Sequence, residues 1–189
     1  TNVVRLLLDK GVEVNRADKE GATPLWIACL KGHVDVARLL LENDADVNKT
    51  NKYGTTPLYA ACDKGHVQVV QLLLEKDVKV DQADKDGATP LFVACEKRHV
   101  DIVRLLLDNG VQVDQGAIPL LSVLDSQTGG KLQKTLDPTF PELVERSEAR
   151  ALDLLQTDVK LTNKENASQK PKKKKKNRKV SYKNTTNIS

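Results

Sequence analysis

ACLKGH at residues 28–33 returns as ACDKGH at 61–66 and as ACEKRH at 94–99, a spacing of 33 residues. The surroundings keep the same step. Gly21, Gly54 and Gly87 precede Thr23-Pro24-Leu25, Thr56-Pro57-Leu58 and Thr89-Pro90-Leu91. Leu39-Leu40-Leu41, Leu72-Leu73-Leu74 and Leu105-Leu106-Leu107 follow, with an earlier copy at Leu6-Leu7-Leu8. A fixed period in this range predicts stacked supersecondary units, none of which buries its apolar face alone.

Each copy sets a Cys and a His four residues apart, which raises the question of metal. Zinc takes about four ligands at roughly 2.0–2.3 Å. Equivalent helices in a stack lie about 8–10 Å apart. Cys29, Cys62 and Cys95 therefore form a ladder, as do His33, His66 and His99, and each copy alone is two ligands short. A disulfide needs Cα atoms within about 7 Å, so the ladder spacing excludes that too. The thiols are expected to be small buried hydrophobes beside Ala28, Ala61 and Ala94, and the imidazoles to anchor helix starts. No nucleophile is paired with a base, so no catalytic residue, cofactor or metal site is predicted. Three reduced Cys favour an intracellular location, cytoplasmic and/or nuclear.

Residues 18–50 illustrate one unit. Asp18-Lys19-Glu20-Gly21 is turn chemistry, in which Asp bonds nearby backbone and Gly supplies positive φ. Thr23-Pro24 suits an N-cap and first helical position. A helix is predicted from Pro24 to about Lys31, broken by Gly32, and a second from about Val34 to Glu42. Val34, Val36, Ala37, Leu40 and Leu41 make its apolar face. Helices this short are marginal alone, since isolated ones need about 12–15 residues, so stacking has to supply the burial.

Gly21-Ala22-Thr23-Pro24-Leu25, Ala28-Cys29, Gly32-His33, Leu40-Leu41 and Ala45-Asp46-Val47-Asn48, with counterparts at +33 and +66, make the chain resemble the ankyrin repeat. The resemblance implies an all-α repeat solenoid of helix-turn-helix pairs with short hairpin connections. It divides the chain into a partial repeat (1–17, second helix only), repeats at 18–50, 51–83 and 84–115, and a degenerate capping repeat at 116–124. Residues 1–17 lack the preceding helix, which would leave Val3, Val4 and Leu7 partly uncovered and suggests a fragment of a longer protein. Asp44 and Asp77 stand where Gly11 and Gly110 occupy a left-handed helix exit, and Arg98 replaces the Gly of Gly32 and Gly65, at a cost of about 1 kcal/mol. At Asp114-Gln115-Gly116 four residues of the usual turn are skipped.

The resemblance also implies a non-enzymatic protein-interaction module that meets its partner at the hairpin tips and the concave first-helix surface. The tip positions are Lys19 and Glu20, Lys52 and Tyr53, and Lys85 and Asp86. The first-helix positions are Trp26, Leu30 and Lys31; Tyr59, Asp63 and Lys64; and Phe92, Glu96 and Lys97. Trp26, Tyr59 and Phe92 share one repeat position, beside a row of Lys31, Lys64 and Lys97. An aromatic row next to a cationic row suggests an acidic peptide with apolar anchors as partner. Packing of the rings between first helices is the rival explanation.

Residues 125–140 are rich in turn formers and are expected to be a linker. Residues 141–156 fit a helix that starts at Pro141 and docks on the last repeat, with residues 157–189 a disordered tail. Gly129-Gly130-Lys131 is not a phosphate loop, because Leu132 follows the Lys. Residues 170–189 hold nine Lys or Arg and no acid, which leaves 21 basic against 26 acidic residues, a balance of −5, in residues 1–169. The run at 170–179, with Lys172, Lys173, Lys174, Lys175, Lys176, Arg178 and Lys179, resembles a nuclear localisation signal for an import receptor. Non-specific polyanion binding and solvated charge with no role remain open. The polyanion reading carries an alternative function, a nucleic-acid-associated nuclear regulator. No apolar run reaches the roughly 18 residues of a membrane span, and no small-molecule substrate is suggested.

Overall fold

The computed structural model describes residues 2–130 together with 132, 144, 145 and 149. Among these residues there are eight helices and no strand. α1 is Asn2–Asp9; α2 and α3 are Pro24–Lys31 and Val34–Leu41; α4 and α5 are Pro57–Lys64 and Val67–Leu74; α6 and α7 are Pro90–Glu96 and Val100–Asp108; α8 is Ala117–Thr128. First helices (α2, α4, α6, α8) pack on one another in sequence, and second helices (α3, α5, α7) do the same. The architecture is an all-α repeat solenoid.

The turn before each first helix is held by one side chain. Asp18 Oδ1 accepts the amides of Glu20 at 2.8 Å and Ala22 at 2.9 Å. Asn51 and Asp84 do the same for residues 53 and 55, and for 86 and 88. Thr23, Thr56 and Thr89 then cap α2, α4 and α6 by accepting the amides of Trp26, Tyr59 and Phe92, each at 3.1 Å. Pro stands at the first helical position each time, where its missing N–H costs nothing. Leu25, Leu58, Leu91 and Leu121 are buried at successive levels of one core, beside Cys29, Cys62 and Cys95.

Asn15 and Asn48 join consecutive units. The Asn15 amide donates to the Asp44 carbonyl at 3.0 Å and accepts the Asp46 amide at 2.8 Å. Asn48 repeats both bonds with Asp77 at 3.0 Å and Lys79 at 2.8 Å. Nothing in the periodicity of these residues announced that role.

Two local details differ from the sequence expectations. Asp44 takes the left-handed exit at φ 62°, but Asp77 does not. After α3, the Ala45 amide reaches the Leu40 carbonyl at 3.0 Å, whereas after α5 the Val78 amide turns to Lys76 at 2.7 Å, a tighter turn that spares Asp77 the left-handed conformation. The degenerate cap is longer than 116–124, because α8 continues through Asp125–Thr128 of the expected linker and closes at Gly129, φ 69°. Asp114 rather than Thr caps its start, its carboxylate accepting the Ala117 amide at 2.7 Å. Of the helix expected at 141–156, residues 144, 145 and 149 are helical and Val144 packs against the core; the rest, with the whole tail at 157–189, lies outside the described residues.

Candidate interaction surface

The repeated Cys and His are packing groups. All three thiols are unpaired and buried. Burial pushes Cys29 and Cys95 up to about 12 and raises Cys62 as well, so the nucleophilic thiolate is suppressed. Among the described residues, no group of three or more His, Cys, Asp and Glu is placed to hold a metal ion. His66 Nε2 lies 3.1 Å from the Leu30 carbonyl and His99 Nε2 3.3 Å from the Asp63 carbonyl. A carbonyl only accepts, so Nε2 carries the proton. Each imidazole thus binds the end of the first helix one unit earlier, while His33 is exposed. Gly32 and Gly65 serve this contact as well as the left-handed helix exit. A Cβ there would come within 2.6 Å and 2.7 Å of the His66 and His99 rings.

Trp26, Tyr59 and Phe92 are all half-buried, and each leans toward the following turn. Trp26 Nε1 donates to Thr55 Oγ1 at 3.3 Å. The Tyr59 hydroxyl is pushed up to about 12, mainly by burial and then by the carboxylate of Asp84, with smaller effects from Asp63 and Glu96. Phe92 lies against Gly116, whose Cβ would sit 3.4 Å from the ring. The rings pack between units and keep one side toward solvent.

The lysine row is unevenly compensated. Lys64 pairs with Asp63 at 2.8 Å and Lys97 with Glu96 at 3.2 Å. At Lys31 the neighbouring position is Leu30, which brings no charge. At the tips, Lys52 is ion-paired with Glu20 and lies 4.9 Å over the Tyr53 ring. The Glu20 carboxylate holds the Lys52 ammonium above its usual range, with Tyr53 assisting. Tyr53 is exposed, and its hydroxyl is 3.5 Å from Glu20 Oε2. Lys19, Lys85 and Asp86 are exposed too.

A groove of about 760 Å³ lies on the other side, between α3 and α5, lined by polar groups such as Asp35, Arg38, Gln71 and Glu75. None of the expected partner-binding residues lines it. The basic run, Lys172–Lys176 with Arg178 and Lys179, lies outside the described residues. No helix among the described residues is long and apolar enough to cross a membrane.

A family model described as ankyrin repeats (3 copies) matches residues 1–51 and 44–117. No curated protein matches the chain.

Proposed function

The chain belongs to the ankyrin-repeat family, whose members generally act as protein–protein interaction modules, and from that premise we propose that it is a non-enzymatic adaptor. It binds a protein partner through its turn tips and first-helix surface. The observation that carries this reading is the surface shared by all three full repeats: half-buried aromatics at Trp26, Tyr59 and Phe92 bordered by Lys31, Lys64 and Lys97. Aromatic side chains expose large contact area at low entropic cost and recur as interface anchors.

Charge compensation refines the partner. With Lys64 and Lys97 answered by their own helices, the strongest pull on an acidic group is at Lys31, beside Leu30 and Trp26. An acidic side chain flanked by apolar ones fits that end. The test is affinity capture with the full chain and its Lys31→Glu and Tyr59→Ala variants, each checked for unchanged helicity. A partner retained by the wild type and released by both variants supports the reading. Equal capture by all three would remove this surface as the binding site.

A further inference from the structure

The turns are joined edge to edge by backbone. The Lys52 amide donates to the Glu20 carbonyl at 2.8 Å, and the Lys85 amide donates to the Tyr53 carbonyl at 3.0 Å. Asp86 holds the third copy of that acceptor position. Its donor is missing, because the four residues that would complete the next turn are absent between Gln115 and Gly116.

The absence leaves a notch that several independent features record. A Cβ on Gly21 would lie 2.9 Å from the Lys52 nitrogen, and one on Gly54 3.0 Å from the Lys85 nitrogen, but around Gly87 no described residue comes within 4 Å. Thr23 and Thr56 are buried, at 1% and 0% exposure. Thr89, the same cap one unit later, is only half-buried and turns its hydroxyl to Asp114 at 2.7 Å. Trp26 has Thr55 of the next turn to bond, whereas the turn beyond Phe92 is reduced to Asp114-Gln115-Gly116. Asp86, exposed at the turn tip, and Asp114, beside Thr89 and Phe92, border the notch, with Lys85 the one basic residue of that turn.

We propose that this notch receives an extended segment of a protein partner, which supplies a backbone N–H to the Asp86 carbonyl and a Lys or Arg to the carboxylates of Asp86 and Asp114. Two properties select that occupant. The open edge continues a backbone ladder already used twice within the molecule, and an added extended chain is the element that extends such a ladder. The carboxylates, with an aromatic face alongside, favour a cation over an anion. The segment binds at the opposite end of the surface from Lys31, so a partner with acidic and basic stretches would lie in one direction along it. This inference rests on the interaction-module reading and deepens it.

The experiment is selection of a displayed library of random linear peptides on the full chain. Two variants accompany it: Asp86→Lys, and an insertion of Ala-Asp-Lys-Asp, the sequence of residues 83–86, between Gln115 and Gly116 to rebuild the turn. Selected peptides should carry Lys or Arg next to an apolar residue, and each should lose at least about tenfold in affinity for both variants. A library that yields no binder overturns the proposal, as do binders indifferent to the insertion. Binders indifferent to the insertion but lost on Lys31→Glu would leave the general interaction reading standing and remove the notch alone. An insertion that lowers Tm by several degrees would mean that another part of the chain already fills the space, which also overturns it.

Discussion

The imidazole of His66 sits 3.1 Å from the carbonyl of Leu30, and its ring occupies the space that a side chain on Gly32 would need, 2.6 Å from the Cβ position. The repeated Gly-His pair is thus a contact between units: the Gly of one repeat makes room for the His of the next. Gly32 is at φ 73° and Gly110 at φ 75°, but only Gly32 has a ring against it. Gly32→Ala and Gly110→Ala should share the left-handed penalty of about 1 kcal/mol. Gly32→Ala should add about 1–3 kcal/mol of overpacking. Urea unfolding of Gly32→Ala, His66→Ala and the double variant checks this. The double variant should be more stable than the sum of the singles implies. Simple additivity would mean that ring and methyl do not meet.

Arg98 tests the same logic from the other side. It stands at the position of Gly32 and Gly65 with φ 60°. It carries a side chain there because the next unit, built on α8, has no His to fill the space. Its guanidinium donates to Gln127 Oε1 at 3.3 Å, an exposed bond that contributes little. Arg98→Gly should stabilise the chain by about 0.5–1 kcal/mol, the relief of a left-handed non-Gly residue less the entropy gained by the unfolded chain. A fall in Tm would contradict it.

Burial of the thiols and of Tyr59 makes stability fall in alkali. Cys29 and Cys95 move from 9.0 to about 12, and Tyr59 from 10.0 to about 12. All are raised, and each is neutral when protonated. Above pH 9 the unfolded chain therefore loses protons that the folded chain keeps. The contribution is complete below about pH 9 and is lost as pH rises toward about 12. Each thiol adds a slope of up to about 1.4 kcal/mol per pH unit. Unfolding free energies of the wild type and Cys62→Ala, followed from pH 7 to pH 11 (roughly the range in which thiols titrate), should show the shallower slope in the variant. Equal slopes would mean that Cys62 ionises freely in the fold.

The Asn48 bridge makes a graded prediction. Its amide satisfies both the Asp77 carbonyl and the Lys79 amide. Asn48→Ala removes both bonds and should cost about 1–2 kcal/mol; Asn48→Asp keeps an acceptor for Lys79 but no donor for Asp77 and should cost about half of that. Equal losses by urea denaturation would show that one bond carries the whole effect.

How far this could be read from residues alone depended on the range of the interaction. The caps at Thr23, Thr56 and Thr89 and the first-helix bounds follow from neighbours three or four positions away, and they were legible. The thiol ladder was legible too, because a strict period holds equivalent groups apart. The reach of His66 to Leu30 and of Asn48 to Asp77 crosses from one unit to the next, so no local pattern disclosed it. The uneven compensation of Lys31, Lys64 and Lys97 is written in the sequence as Leu30, Asp63 and Glu96, but adjacency alone does not tell whether a surface carboxylate turns to its neighbouring lysine or away from it. The end of α8 was not legible because residues 125–140 are rich in turn formers, while burial of Leu121 and Leu124 and the left-handed Gly129 extend the helix to Thr128.

The packing of the aromatic row and its proposed role as a partner anchor are separated by one pair of variants. Trp26 is anchored to Thr55 at 3.3 Å, and Tyr59 is half-buried beside Asp84. Truncating either ring removes packing between units and, under the proposed function, contact area for a partner, so a single Ala variant confounds the two. Tyr59→Phe keeps the ring and drops the hydroxyl, and should change Tm little while shifting the alkaline limb of the stability curve. Trp26→Phe keeps an apolar ring without the bond to Thr55 and should cost about 1 kcal/mol of stability. If the rings anchor a partner, Tyr59→Ala should weaken its binding by at least about tenfold, while Tyr59→Phe leaves affinity within about twofold. Affinity unchanged in Tyr59→Ala, with Tm lowered, would assign the row to packing alone.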